Sequence, residues 1–231
     1  MKRITLIITL ALAALFFGSC ISVDDLKPET PVYQPEEEPE EQPDEQPDEQ
    51  PDEFDLTGTP DGTEVQLTGV VAVVTQRGFL LCINDVNMLY VYAGAGWTPS
   101  VEMYDKVNVS GTLTTYWNNR ELTLKNVTVT GKGSVKNTSP YKLTQYNIAS
   151  FSNSGYLPCL VKVTGTLQQD GAYNNMNIGD DKYLASLEFP LFELSAYIGK
   201  EVTVTGYYLW TSYSEVKNQY FIDIAVTSIE I

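Results

Sequence analysis

The residues of this 231-residue chain that could do chemistry are few. It contains no histidine, which removes the commonest general base and the commonest metal ligand. Its three cysteines, Cys20, Cys82 and Cys159, share no CxxC spacing, so no zinc ligand set assembles. Cys82 and Cys159 lie in apolar runs and read as buried thiols, although an oxidising compartment would also permit a disulfide between them. Carboxylates are the remaining route to catalysis, and a glycosidase needs two of them close together. Asp180 and Asp181 are adjacent, so a strand would point them to opposite faces. Following Asn177-Ile178-Gly179, they read better as a turn. The Asn/Asp-rich stretch from Asp170 to Asp181 offers oxygen ligands suited to calcium, but without EF-hand spacing, and turn residues alone account for it. No nucleophile–base pair is visible, so the expectation is a protein without catalytic residues, metal or cofactor. Adhesive chemistry remains. Tyr116-Trp117-Asn118-Asn119-Arg120 sets two aromatics, two amides and a guanidinium side by side. Aromatic faces stack on sugar rings or bases, while amides and guanidinium reach hydroxyls or phosphates.

One further residue has a chemistry of its own. Lys2 and Arg3 precede an apolar run of 14 residues, Ile4 to Phe17, followed by Gly18, Ser19 and Cys20. A spanning helix needs about 20 residues and a secretion signal roughly 7–15, so residues 1–19 read as a signal peptide. Phe17-Gly18-Ser19-Cys20 resembles a lipobox, with Phe17 where leucine is usual, and makes Cys20 the acylation site. Several acyl chains, at about 0.8 kcal/mol per buried methylene, would hold the chain firmly on a membrane. A soluble secreted product is the alternative.

Residues 20–63 read as a tether. Glu41-Gln42-Pro43-Asp44 recurs as Glu45-Gln46-Pro47-Asp48 and Glu49-Gln50-Pro51-Asp52. Ile21 to Asp55 carries 15 acidic residues and one lysine, a net charge of −14. Regular prolines exclude helix, like charges extend the chain, and too few apolar residues are present to drive ordering. At about 3.1 Å per residue such a spacer reaches on the order of 100 Å. It also absorbs most of the whole-chain charge of −16. From Glu64 to Ile231 there are 14 acidic and 11 basic residues, a net of only −3. That balance argues against a nucleic-acid binder, which needs a basic track.

The elements that must position the aromatic and amide residues are strands. Val107, Val109 and Thr112–Leu113, then Leu122, Leu124, Val127 and Val129, then Val202, Val204 and Tyr207, alternate in short runs between turn residues. Short helical turns are expected near 141–151 and 190–198. Val65-Gln66-Leu67-Thr68-Gly69 matches Val161-Lys162-Val163-Thr164-Gly165 at an offset of 96. Asp105-Lys106-Val107-Asn108-Val109-Ser110-Gly111 matches Lys200-Glu201-Val202-Thr203-Val204-Thr205-Gly206 at 95. Two matches at nearly one offset indicate a duplicated domain, with a first copy over 64–131, a linker over 132–159 and a second copy over 160–231.

Arg77-Gly78-Phe79-Leu80-Leu81 followed by Tyr104-Asp105-Lys106-Val107-Asn108-Val109-Ser110-Gly111 resembles the tandem OB-fold domains of Bacteroidetes outer-membrane lipoproteins, over about residues 64–231. In the second copy Asp170-Gly171-Ala172-Tyr173 stands in place of the Arg-Gly-Phe element. The resemblance implies an all-β chain of two five-stranded Greek-key barrels, in which Gly69 and Gly165 bend a long first strand to serve both halves. It also implies where a ligand sits, between the first–second and fourth–fifth strand loops. In the first copy these are Thr75-Gln76-Arg77-Gly78 and Tyr116 to Arg120, which bring Arg77, Tyr116, Trp117, Asn118, Asn119 and Arg120 together. In the second, the fourth–fifth loop runs from Tyr208 to Tyr213 and contributes Trp210 and Tyr213. Asp24 and Asp25, close behind Cys20, resemble the acidic surface-export signals of the same lipoproteins.

The expected function is therefore a lipid-anchored protein of the outer membrane, on the cell surface or on the periplasmic face, that binds a glycan or peptide through barrel loops without catalysis. Binding of single-stranded nucleic acid and a structural or adaptor role with an envelope protein partner are the alternatives, since a fold of this class does not dictate function.

Overall fold

A computed structural model describes Leu56 and residues 58–84, 87–136, 138–154 and 157–231. The expected signal peptide, Cys20 and the acidic repeat lie outside the described residues. Among the described residues no helix is long and apolar enough to cross a membrane.

The chain is all-β and forms two five-stranded barrels of OB-like topology. The first uses β1 (Glu64–Thr75), β2 (Gly78–Asn84), β3 (Asn87–Tyr92), β4 (Asp105–Tyr116) and β5 (Asn119–Lys132), closed in the order β1-β2-β3-β5-β4. After a short strand β6 (Tyr141–Leu143) and one helical turn α1 (Ile148–Ser152), the second barrel repeats the order with β7 (Leu160–Asp170), β8 (Tyr173–Asn177), β9 (Tyr183–Leu187), β10 (Glu201–Ser214) and β11 (Gln219–Glu230). A 3-10 turn at Ser195–Tyr197 precedes β10.

Alternation decides what each barrel encloses. On β4, Val107, Val109 and Leu113 point inward and are buried, while Lys106 and Asn108, on either side of Val107, are exposed. With Leu67, Val71, Phe79, Leu81, Leu89, Val91 and Leu122 they fill the first barrel. Val161, Val163, Leu167, Met176, Val202, Val204, Ile222 and Ile224 fill the second. Closure needs the first strand to change partners part-way. β1 pairs with β4 through Glu64–Val70 and with β2 from Val70 onward. Gly69 sits at the change-over, where a Cβ would stand 2.5 Å from the Cys82 carbonyl oxygen. Gly165 occupies the equivalent place on β7, against the Asn177 carbonyl.

Some strands are buried on both faces. Ala72, Val73, Leu80 and Tyr90 from the first barrel pack with Tyr207, Leu209, Trp210 and Ala225 from the second into an apolar seam. A backbone latch lies beside it. The Gln76 amide donates to Phe189 O (2.8 Å), Gln76 Nε2 donates to Pro190 O (2.8 Å), and Thr75 bridges to Pro190.

The thiols are not joined. Cys82 is buried in β2, and Cys159 lies half-buried before β7 with its pKa raised by burial.

Candidate functional site

The two barrels enclose a cavity of about 530 Å³ between them, within the size range of small-ligand sites. The turn after β1 and the β4–β5 hairpin of the first barrel face β10, β11 and the segment after β9 of the second across it. Arg77, Tyr116, Trp117, Trp210 and Tyr213 all line it. A second, larger hollow of about 650 Å³ shares Tyr90, Trp117, Trp210 and Tyr213 with the first and adds Asn118, Asn119 and Arg120. The chain thus distributes the eight residues singled out for adhesion over two hollows with a common aromatic wall.

The wall is built ring on ring. Trp210 is met edge-on by Tyr90 at 5.2 Å and by Tyr116 at 5.3 Å between centroids. Tyr116 in turn meets Trp117 edge-on at 6.1 Å. Such pairs add roughly 0.5–1.5 kcal/mol each beyond area burial and fix the rings in place. Tyr90 is anchored from behind, its hydroxyl 2.8 Å from Thr75 Oγ1, and burial pushes its pKa upward.

The β4–β5 hairpin closes with the pair Tyr116 and Asn119, leaving Trp117-Asn118 as a two-residue loop. Both residues have positive φ, 46° and 62°, as a mirror-type turn requires. Asn is at home there; an aromatic is not, and a bulky residue in this region costs on the order of 1 kcal/mol. Asn119 Nδ2 donates to Trp117 O at 2.9 Å and steadies the turn. The strain holds a half-exposed indole at the mouth of the cavity.

Two residues expected at the ligand face have other partners. The Arg77 guanidinium lies 3.5 Å from the centre of the Phe189 ring, so part of its work is to join the barrels. Phe189 itself has φ 33°, a twist that lets its carbonyl meet the Gln76 amide. Arg120 turns to the entry segment, pairing with Asp61 and donating to Thr59 O. It lines the second hollow and not the first. The expected loop Tyr208 to Tyr213 is not a loop. It continues β10 as far as Ser214, and the chain turns only at 215–218. The strand persists through this stretch because every residue from Trp210 to Ser214 keeps a partner on β11. Trp210 and Tyr213 therefore present their rings from a rigid sheet. Asp180 does form a turn, its Oδ1 accepting from the Lys182 and Tyr183 amides at 2.8 and 2.9 Å.

Composition and spacing did not single out the floor of the cavity. Glu121, Glu188 and Asp223 are there, with Asn175, Ser186 and Ser212. Asp223 is directly opposite Ser186 on β9 and Trp210 on β10. It accepts from Ser212 Oγ at 2.8 Å, and from Ser186 and the Trp210 indole. Burial raises its pKa well above the carboxylate range, reinforced by the negative charge of Glu188. Burial also pushes Glu188 up to about 7 against the pull of Arg77, and Glu121 up to about 7 against a hydrogen bond from Thr114. The signal that could have found them is a single acid inside an apolar run: Ile222-Asp223-Ile224 and Leu187-Glu188-Phe189. Compared with known proteins, the chain matches no family model and no curated relative.

Proposed function

We propose that this chain is a lipid-anchored cell-envelope module, of the tandem OB-fold lipoprotein kind its repeats resemble, that binds a glycan between its two barrels without cleaving it. The observation that carries the reading is the aromatic wall, with Trp117 held at the cavity mouth in a backbone conformation that costs stability. Strain of this kind concentrates at working sites. Rings provide the flat apolar faces that pyranose rings stack on, and the floor provides acceptors for their hydroxyls. The acid-rich lining disfavours the phosphates of nucleic acid.

Binding without hydrolysis is the reading the sequence supports, since the chain has no histidine and no nucleophile–base pair is visible in it.

The test is a glycan array followed by affinity electrophoresis of wild type and Trp117→Ala. Loss of one stacking ring should weaken binding by roughly tenfold or more. Retention unchanged by the substitution would remove the proposed face. Release of reducing ends from the bound glycan would overturn the non-catalytic part of the reading.

A further inference from the structure

The geometry points to a ligand that carries protonated amino groups, so that the cavity selects glycans with free amines over their acetylated or neutral counterparts. The inference rests on the glycan reading above and names the chemistry of what is bound.

Charge around the cavity is unbalanced. Six ionisable groups other than phenols line it: Arg77 from the β1–β2 turn, Glu121 from β5, Asp170 at the end of β7, Glu188 after β9, Lys217 from the β10–β11 turn and Asp223 from β11. Lys217 and Asp170 pair with each other. Arg77 is stacked on Phe189. Burial favours the protonated form of Asp223, so Glu121 and Glu188 are the acids left to share one cation, Arg77. The phenols of Tyr90, Tyr92, Tyr116, Tyr173 and Tyr213 complete the lining and bring no positive charge.

An independent observation concerns hydrogen bonds. Asn175 is only 6% exposed, and its Oδ1 accepts no hydrogen bond. Buried acceptors are nearly always satisfied, and an unmet one is costly. Asn175 lines this cavity beside the carboxyl of Glu188, which is 9% exposed, so its Oδ1 awaits a donor that arrives with the ligand. A sugar hydroxyl meets that need but brings no charge. An ammonium group brings three donors and the missing cation together. The ring faces of the wall attract the same group. Burial holds the Glu121 and Glu188 carboxyls up to about 7, so an incoming ammonium competes with protons for them.

The test is titration calorimetry of the full chain with glucosamine oligomers and with N-acetylglucosamine oligomers of the same length. The free-amine form should bind about tenfold tighter or more at neutral pH, the worth of one charge-assisted hydrogen bond. That preference should shrink in Glu188→Gln, which keeps the shape and loses the charge, with both proteins compared at the same neutral pH because the sugar amine itself titrates near there. The acidic segment 21–55 is common to both proteins, so its own attraction for amines cancels in that comparison. Should that variant fail to fold, Glu121→Gln takes its place in the same comparison. Acetylated oligomers that bind as well as free amines, with Trp117 still required, would refute the amine and leave the glycan reading intact. Failure of both oligomers and of the array would refute the two together.

Discussion

Glu188 shows how one side chain couples the site to stability. Its carboxyl is raised to about 7 by burial, whereas an unfolded glutamate titrates near 4.3. Between those values the folded chain holds more protons than the unfolded one, so stability falls as pH rises through the window and stays low above it. This is opposite to the usual salt-bridged carboxylate, which is lost on acidification. Glu121 and Asp223 act in the same direction. Glu188→Gln should therefore stabilise the protein by roughly 2 kcal/mol at pH 8 and change little at pH 4. Urea denaturation at the two pH values checks this. Equal stability of the two proteins at pH 8 would mean that the carboxyl is better solvated than its burial implies. At this scale the rim was legible in the sequence and the floor was not. Trp117 announces itself by type, in a turn. Asp223 is one acid in an apolar strand, and its role depends on Ser186 and Trp210, which reach it only through the pairing of β9, β10 and β11.

The strands that carry these residues depend on where the backbone comes closest to itself. At Gly69 β1 leaves β4 and takes up β2, and the space for a side chain is already occupied by the Cys82 carbonyl and the Leu81 side chain. The duplicated Val-x-x-Thr-Gly pattern made that bend readable from sequence, because only glycine lets two backbones approach so closely. The length of β10 was not readable in the same way. Tyr, Trp, Thr and Ser are as common in turns as in strands, and the element ends where its partner ends, at Gln219 opposite Ser214. Gly69→Ala must displace a carbonyl and not merely a flexible side-chain tip. The expected cost is about 1–3 kcal/mol, as for overpacking a filled core, read as a lowered denaturation midpoint with an unchanged denaturant slope. The same change at Gly131, where an added methyl would meet nothing within 4 Å, is the control and should shift the midpoint far less.

At the scale of the whole molecule the question is whether two barrels make one cooperative unit. Duplicated domains joined by a segment such as 133–159 often unfold separately, since interfaces within a chain tend to be small and polar. This one is apolar. Leu80 and Leu209 are essentially fully buried in the seam, with Ala72, Tyr90, Trp210 and Ala225 about them. The Gln76 latch adds backbone hydrogen bonds across the same junction. The cavity exists only while this seam holds, because its walls come from both barrels. The three tryptophans report the two regions together: Trp97 packs on Phe79 of the first barrel, while Trp117 and Trp210 are at the junction. Denaturation followed by tryptophan fluorescence and by far-ultraviolet circular dichroism should give coincident single transitions. Leu209→Ala should lower stability by about 2–4 kcal/mol. Because it cuts the coupling and leaves each enclosed core intact, it should also separate the two curves. Two resolved transitions in the wild-type protein would show that the barrels fold independently, and a ligand requiring both walls would then have to hold them together itself.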